Sequence, residues 1–365
     1  MNDQRVTRSG VFVALLLTVL IVAGAQALAV NGGTSLTTAS PGAAAATASP
    51  TPSPTAGGPG TIAFTRARLG VAGNDLVGKS SDIYVVRSDG SGLTRLAHGS
   101  GHSFIRGGAA WSPDGGQIAF IRGQAFDRAS VWVMNADGSE QRLVTRGKKA
   151  LGPGLAWSPG TQLVFSNLER DDVLALLAVN ADGSGLRHVT PGGKRVSLDE
   201  QPAWAPDGRI FFDREDADSS EICSVKSDGS SLTLVTAAPQ PTSFSLSPDG
   251  QWLLLWDRAK DALVRVPASG EGESVVLVDK LSRYIARYSP SFYAVASSWS
   301  PDGSQIAFAA DGSRWSKPSA LYIVNADGSG LRKVPNADRG WNPVWRPQLF
   351  ALRERPQRLR FPITR

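Results

Sequence analysis

The five residues WSPDG at Trp299–Gly303 lead into an apolar strand, and the same five residues stand at Trp111–Gly115. Degraded copies of this motif lie around Trp157, Trp204, Leu246 and Trp345. The copies recur at intervals of roughly 45 residues, a period typical of propeller blades built from four short strands. The motif therefore predicts a repeated all-β architecture.

A second motif recurs with the same period. It is an apolar strand that ends in Asn-Ala-Asp-Gly-Ser-Gly or a variant. Its turn pairs are Asp89-Gly90, Asp137-Gly138, Asp182-Gly183, Asp228-Gly229 and Asp327-Gly328, with Ser269-Gly270 standing in once. Pro presets φ, Gly accepts positive φ and Asp accepts bonds from nearby backbone N–H groups, so both motifs predict tight turns. Two such turns per repeat divide each unit into four strands, labelled a to d.

The first and last repeats are incomplete in complementary ways. The segment Thr61–Phe64 aligns with strand b, whereas Pro343–Pro347 aligns with strand a. The sequence therefore predicts an all-β, six-bladed β-propeller with four antiparallel strands per blade. The C-terminal strand is expected to join the first blade and close the ring, which hides the edges of an open sheet.

These repeats resemble those of the TolB family and related WD-like propellers of bacterial envelopes. The resemblance covers residues 61–347, and it rests on the WSPDG and Asn-Ala-Asp-Gly motifs. It implies the propeller fold and an envelope location. The N-terminal α/β domain of TolB has no counterpart in residues 30–60, which puts a TolB-type role in doubt. No Gly-x-Ser-x-Gly elbow occurs, so a peptidase of the kind some relatives carry is not expected.

The N-terminal region predicts export. Arg5 and Arg8 precede an apolar run, and small-x-small cleavage sites follow, so residues 1–29 read as a signal peptide. The alternative is an uncleaved anchor through residues 11–30, which are long enough to span a bilayer. Residues 30–60 are an uncharged Ala/Thr/Ser/Pro/Gly linker that we expect to be disordered. Both alternatives place residues 61–347 outside the cytoplasm, in the periplasm or the extracellular space.

Charge is unevenly distributed along the chain. The net charge is +6, but residues 348–365 form a basic tail in which five Arg stand against one Glu. The repeats themselves are close to neutral, so the high pI does not indicate nucleic-acid binding. We expect a monomer.

Binding residues are predicted on the variable loops, because function concentrates on such loops over a rigid scaffold. The b–c and d–a loops share one face, and the long ones are 66–81, 279–296 and 309–319. The candidate ligand- or partner-binding residues are Arg283, Tyr284, Arg287, Tyr288, Phe292, Tyr293, Trp315, Arg339 and Trp341. Arg and aromatic residues together are typical of binding hot spots. The alternative is a self-packed loop whose aromatics fill the channel mouth.

The same loop face carries more cations than the turn face in sequence. This pattern favours an envelope protein or an acidic glycan as the partner on the b–c/d–a loop face. The competing interpretation is a solvated charge distribution with no ligand.

Catalytic signatures are sparse. Three His are too few and too scattered for a His-rich metal centre, so no metal, cofactor or catalytic residue is predicted. Paired carboxylates at Asp199-Glu200 and within 213–218 are a weak glycosidase signal, and we interpret them as solvated loop charge. The sequence therefore favours an exported, non-catalytic binding module. The alternatives are a carbohydrate-active lyase or hydrolase that uses the channel mouth, and a membrane-tethered extracytoplasmic sensor domain.

Overall fold

The computed structural model describes residues 60–72, 75–99, 103–124, 128–147, 151–170, 173–191, 197–215, 220–237, 244–257, 260–281, 296–310 and 319–348. All of them lie in one compact unit, Gly58–Arg365. The signal segment 1–29 and the basic tail beyond residue 348 lie outside the described residues, as does the linker apart from Gly60.

The described residues are all-β, as the motifs predict, and their 24 strands form four sheets of four strands and one of eight, which we divide into six units of four strands. None of the described residues belongs to a helix that could cross a membrane.

In units 1 to 3 the turn motifs fall between the strands, as expected from the sequence. Unit 1 runs in the order β24 (Gly340–Trp345), β1 (Thr61–Ala72), β2 (Asp75–Arg87) and β3 (Thr94–Ala97). Unit 2 consists of β4 (Ser103–Trp111), β5 (Gln117–Gln124), β6 (Arg128–Asn135) and β7 (Arg142–Arg146). Unit 3 consists of β8 (Leu151–Trp157), β9 (Gln162–Arg170), β10 (Val173–Asn180) and β11 (Arg187–His188).

The remaining units repeat this order. Unit 4 consists of β12 (Ser197–Trp204), β13 (Arg209–Glu215), β14 (Ser220–Lys226) and β15 (Thr233–Ala237). Unit 5 consists of β16 (Phe244–Leu246), β17 (Trp252–Asp257), β18 (Ala262–Pro267) and β19 (Val275–Val278). Unit 6 consists of β20 (Ser297–Trp299), β21 (Gln305–Ala310), β22 (Ala320–Asn325) and β23 (Arg332–Asp338). Units 3 and 4 join into one eight-stranded sheet because β10 pairs in parallel with β12.

The first motif forms a closed hydrogen-bonded turn. In unit 2, the Asp114 carboxylate accepts bonds from the Ser112 hydroxyl at 2.5 Å and the Gly116 N–H at 2.9 Å. The Gln117 N–H donates to the Ser112 Oγ at 2.8 Å. The Ser and Asp of WSPDG thus satisfy the backbone that reverses between strands a and b.

The glycine of each Asp-Gly turn lies against the last strand of the preceding unit. Gly138 has φ +90°, and a Cβ built on it would lie 2.6 Å from the Leu96 carbonyl oxygen. The equivalent Gly90 of unit 1 packs in the same way on Pro335 of unit 6. Only glycine fits this combination of positive φ and close backbone approach.

The hydrophobic core lies between the units rather than within them. Each of six buried clusters joins two consecutive units. Ile62, Phe64 and Trp345 of unit 1, for example, pack with Leu321 and Ile323 of unit 6. Cys223, the one cysteine of the chain, lies in strand β14 and is buried in the cluster shared by units 3 and 4.

The prediction of one long loop is partly wrong. Residues 66–81 were expected to be a long b–c loop, but β1 and β2 continue as a paired hairpin to Ala72 and Asp75. The alternating β ladder extends because no Pro interrupts either strand.

Candidate functional site

The first strands of the units meet side by side. They are β24, β4, β8, β12, β16 and β20; β24 lies against both β4 and β20, and the others contact their neighbours in succession. Four of them are interrupted by a bulge at a similar level, two to five residues before the Trp of the turn motif. The register shifts fall at Arg106/Ala110 in β4, Leu151/Leu155 in β8 and Glu200/Ala203 in β12, and in the β24–β1 pair opposite Ala63/Thr65. We call these four segments the bulge cluster.

Gly and Pro explain why the bulges form there. Each bulged segment contains Gly or Pro, and Gly154, Gln201 and Asn342 adopt positive φ of 97°, 51° and 48°. A Cβ on Gly154 would lie 2.5 Å from the Gln201 Cα, so two neighbouring bulges touch through their backbones. Bulges of this kind re-aim side chains and recur beside binding and active sites.

The β12 bulge holds a carboxyl group with a displaced pKa. Burial raises the pKa of Glu200 to about 7, and the negative charge of Glu215 adds to the shift. Burial also raises the pKa of Glu215 itself. Glu200 pairs in register with Asp213, and Glu215 lies two residues further along the same strand face. Three acidic side chains therefore share one face, and Glu200 is poised to exchange a proton near neutral pH.

The opposite face of the same strands carries an ion pair. The Asp199 carboxylate accepts two bonds from the Arg214 guanidinium, at 2.7 Å and 2.9 Å. Asp199 is 1% exposed, and the guanidinium lies 5.1 Å from the centre of the Phe212 ring. The interpretation of Asp199-Glu200 as solvated loop charge is therefore wrong, because both residues lie in strand β12 and Asp199 is buried and paired.

Arginines stacked on aromatic rings repeat in units 1, 2 and 4. Arg66 lies over Tyr84 at 4.7 Å, and Arg122 lies over Trp132 at 5.1 Å. The two arginines and Arg214 each stand two residues after a core Phe, so strand alternation places both side chains on one face. Sequence reasoning missed this set, although the recurring Phe-x-Arg in strand b signals it.

Only two of the predicted binding residues are described. Arg283, Tyr284, Arg287, Tyr288, Phe292, Tyr293 and Trp315 lie outside the described residues. Arg339 is exposed with φ +62°, and its N–H donates to the Ser319 carbonyl at 2.6 Å. Trp341 lies in β24, not in a loop, and its carbonyl accepts the Thr65 hydroxyl at 3.2 Å. The structure thus places both residues at the β24 bulge.

His98 has a carboxylate partner. Its Nδ1 lies 2.9 Å from Asp82 Oδ1, which also accepts the Gly99 N–H at 3.1 Å. Asp82 is fully buried, and His102 lies outside the described residues. Within the described ranges, no group of three or more His, Cys, Asp or Glu side chains is placed to hold a metal ion.

The tight turns carry carboxylates that stay ionised. Hydrogen bonds from the side chain and backbone of Ser139 hold the pKa of Asp137 below its ordinary value. Bonds from nearby Ser hydroxyls and backbone N–H groups likewise lower the pKa of the other turn aspartates, in Asp302 against the opposing effect of burial: Asp89, Asp114, Asp182, Asp228, Asp302 and Asp327. These groups shape the turns, and their charge remains on that end of the strands.

Comparison with known proteins identifies the fold. The model of the TolB beta propeller domain matches residues 152–349, just over half of the chain. An uncharacterized protein of Agrobacterium fabrum, Atu1656, is 27% identical over 209 residues, covering 54% of this chain and 67% of that relative.

Solved structures agree on the architecture. TolB from Acinetobacter baumannii superposes with a TM-score of 0.62 at 18% identity, covering 79% of this chain and 67% of that one. Hydrazine synthase from Kuenenia stuttgartiensis gives a TM-score of 0.58 at 15% identity, covering 80% of this chain and 47% of that one. At such identities the likeness concerns the fold alone.

Proposed function

This chain belongs to the TolB β-propeller family, and on that premise we propose that it is an exported, non-catalytic binding module. Its ligand binds at the bulge cluster and the loops beside it. The observation that carries this proposal is the bulge cluster itself, in which four neighbouring strands break their ladders at a similar level. Strands that only pack would not need such interruptions.

The scaffold under this site is proposed to be a closed ring of six blades. Three observations support closure: β24 pairs with β1, β24 also lies against β20, and a buried cluster joins unit 6 to unit 1. In addition, the Arg332 guanidinium donates to the Ser88 carbonyl at 2.6 Å across the same junction. A closed ring holds the bulge cluster rigid, which lowers the entropic cost of binding.

The partner is proposed to be an envelope protein or an acidic glycan. Arg339 and Trp341 at the β24 bulge, with Arg66 stacked on Tyr84 beside them, supply the cation and aromatic surface typical of hot spots. The aromatic and Arg-rich segment 283–293 precedes β20 in the chain and is proposed to complete the contact surface. Residues 1–29 are proposed to direct export, with residues 11–30 as a membrane anchor if they are retained.

A pull-down from envelope extract tests the binding module. The wild-type protein is compared with a variant in which Arg283, Tyr284, Arg287 and Tyr288 are changed to Ala. The matched control changes Glu140 and Glu271, which are exposed beside the opposite turns, to Ala. We expect a partner that the control variant retains and the quadruple variant loses. Equal capture by all three proteins would contradict the proposed face.

A second candidate function rests on Glu200. An acid whose pKa is raised to about 7, with Glu215 nearby, matches the general acid of a carbohydrate-active enzyme. Hydrolase and lyase assays on acidic oligosaccharides test this candidate, with Glu200→Gln as the inactive comparison. Turnover that persists in Glu200→Gln would exclude Glu200 as the acid.

A further inference from the structure

Arginines link the units at the turn end of the strands. Arg142 of unit 2 donates to the Ala181 carbonyl of unit 3, and Arg187 of unit 3 donates to the Ser227 carbonyl of unit 4. Arg332 makes the same bond from unit 6 to unit 1. These three arginines occupy one repeat position, three residues after the Ser of the Asp-Gly-Ser turn. The bond acts as a clamp between neighbouring units.

Two other junctions use a substitute arginine. From unit 5, Arg265 donates to the Ala326 carbonyl of unit 6 at 3.3 Å. From unit 1, Arg346 donates to the Gly115 carbonyl of unit 2 at 3.0 Å. Five junctions are therefore clamped among the described residues.

The junction from unit 4 to unit 5 differs. Thr233 stands at the clamp position, and neither described arginine of unit 4 reaches unit 5. Arg214 pairs with Asp199, and Arg209 bonds to Ser224 and Ser231 of its own unit. What remains between these units includes an apolar contact through Phe211, Leu253 and their neighbours.

A cavity of about 570 Å³ opens at this unclamped junction. Its apolar wall includes Phe211, Leu234, Trp252 and Pro267, and its polar members are Asp207, Arg209, Ser224, Thr233, Gln251 and Ser269. The volume is within the range of small-ligand sites, and the lining offers both an apolar wall and polar groups that can orient a ligand.

Arg209 is itself a departure from the repeat. Units 2, 3 and 6 have Gln117, Gln162 and Gln305 at this position. The Arg209 Nη2 is held by the Ser231 carbonyl at 3.0 Å and the Ser224 hydroxyl at 2.7 Å, while Nη1 makes no hydrogen bond to the described residues. A fixed guanidinium with an open donor edge is a receptor for a carboxylate.

The rim of the cavity is apolar and open. Leu232 is 49% exposed and Leu234 is 53% exposed, the largest exposures among the large hydrophobic side chains described. Leu234 lies in β15, which ends its sheet and leaves one backbone edge unpaired. An extended peptide can pair with such an edge while its side chains enter the adjacent cavity.

We propose that the cleft between units 4 and 5 is a second binding site, which takes an extended peptide with an apolar side chain next to an acidic residue. The peptide pairs with β15, its apolar side chain fills the cavity beside Leu234, and its carboxylate binds Arg209. Three features converge on this one cleft: Arg209 in place of Gln, Thr233 in place of a clamp arginine, and the two most exposed leucines described. None of the residues that line the cleft belongs to the bulge cluster, so the two sites are distinct.

Selection from a displayed library of random octapeptides on the full-length protein tests the site. We expect recovered peptides to combine an apolar residue with Asp or Glu. Leu234→Ser is expected to weaken their binding at least tenfold, whereas Leu143→Ser, at the same repeat position in unit 2, leaves it unchanged. Arg209→Gln is expected to abolish the preference for the acidic residue.

Thr233→Arg separates binding from folding. It restores the clamp residue of units 2, 3 and 6, so we expect an unchanged or higher melting temperature together with at least tenfold weaker peptide binding. A library that yields no enriched peptide would overturn the proposal. So would peptides that bind Leu234→Ser and Thr233→Arg as tightly as the wild type, or peptides without acidic residues.

Discussion

The Glu200 carboxyl makes the stability of this protein depend on pH in a window where most carboxyls do not titrate. Its pKa is about 7 in the folded protein, against an ordinary value of 4.5. A pKa raised on folding means that the folded state holds the proton more tightly than the unfolded chain. Stability is therefore greatest below pH 4.5 as far as this group is concerned, and it is lost as the pH rises through 7.

The size of the effect follows from the shift. At about 1.4 kcal/mol per pKa unit, the rise from 4.5 to about 7 corresponds to a loss of about 3 kcal/mol in the free energy of unfolding. With an unfolding entropy of roughly 2 cal/mol/K per residue, this loss lowers the melting temperature by about 5 °C for a domain of this size. The turn aspartates do not interfere, because their lowered pKa values confine their contribution to pH below about 4.

The assay is the melting temperature of the wild type, Glu200→Gln and Glu271→Gln between pH 4.5 and 7.5. Glutamine stays neutral at every pH, so we expect the Glu200→Gln profile to fall less steeply than the wild type, with the remaining fall contributed by Glu215, whose pKa burial also raises. Glu271 is exposed in a turn, so its variant is expected to follow the wild-type slope. A wild-type profile without a fall, or a Glu200→Gln profile as steep as the wild type, would refute the reasoning.

Three further outcomes are expected. Deleting residues 343–365 should abolish the cooperative thermal transition, because β1 loses its partner strand; a transition at the wild-type temperature would contradict this. Gly138→Ala should cost about 2–3 kcal/mol in urea unfolding, because its Cβ meets a carbonyl oxygen, whereas Gly208→Ala, with a similar positive φ but open space, should cost about 1 kcal/mol. Arg214→Met should destabilise the protein by about 3–5 kcal/mol, because it leaves the Asp199 carboxylate buried without its cation. The double variant with Asp199→Asn should recover part of this loss.

The repeat could be predicted because its turns depend on local chemistry. Ser112 and Asp114 bond within the six residues 112–117, so the turn can be predicted without reference to the rest of the chain. The partner of β1 could be predicted from alignment, since Thr61 and Val344 fall in complementary halves of one repeat.

The candidate site could be predicted less well, because it depends on register between distant strands. The bulge that directly follows Glu200 results from how β12 meets β13 and Gly154 of β8. Nothing in the sequence around Asp199 shows that Arg214 lies opposite it. The stacked arginines could have been predicted, because Phe64-x-Arg66 and its repeats are visible in the sequence.

The pairing of β24 with β1 also sets an order of events during synthesis. Thr65 and Trp341 are in contact although 276 residues separate them in the chain. The first strands made must therefore wait, with one edge bare, until almost the last strand leaves the ribosome. Contacts this distant in sequence form slowly, and a polypeptide that cannot finish folding early remains suitable for threading through a narrow pore. Strand β24 therefore determines how late in synthesis β1 finds its partner.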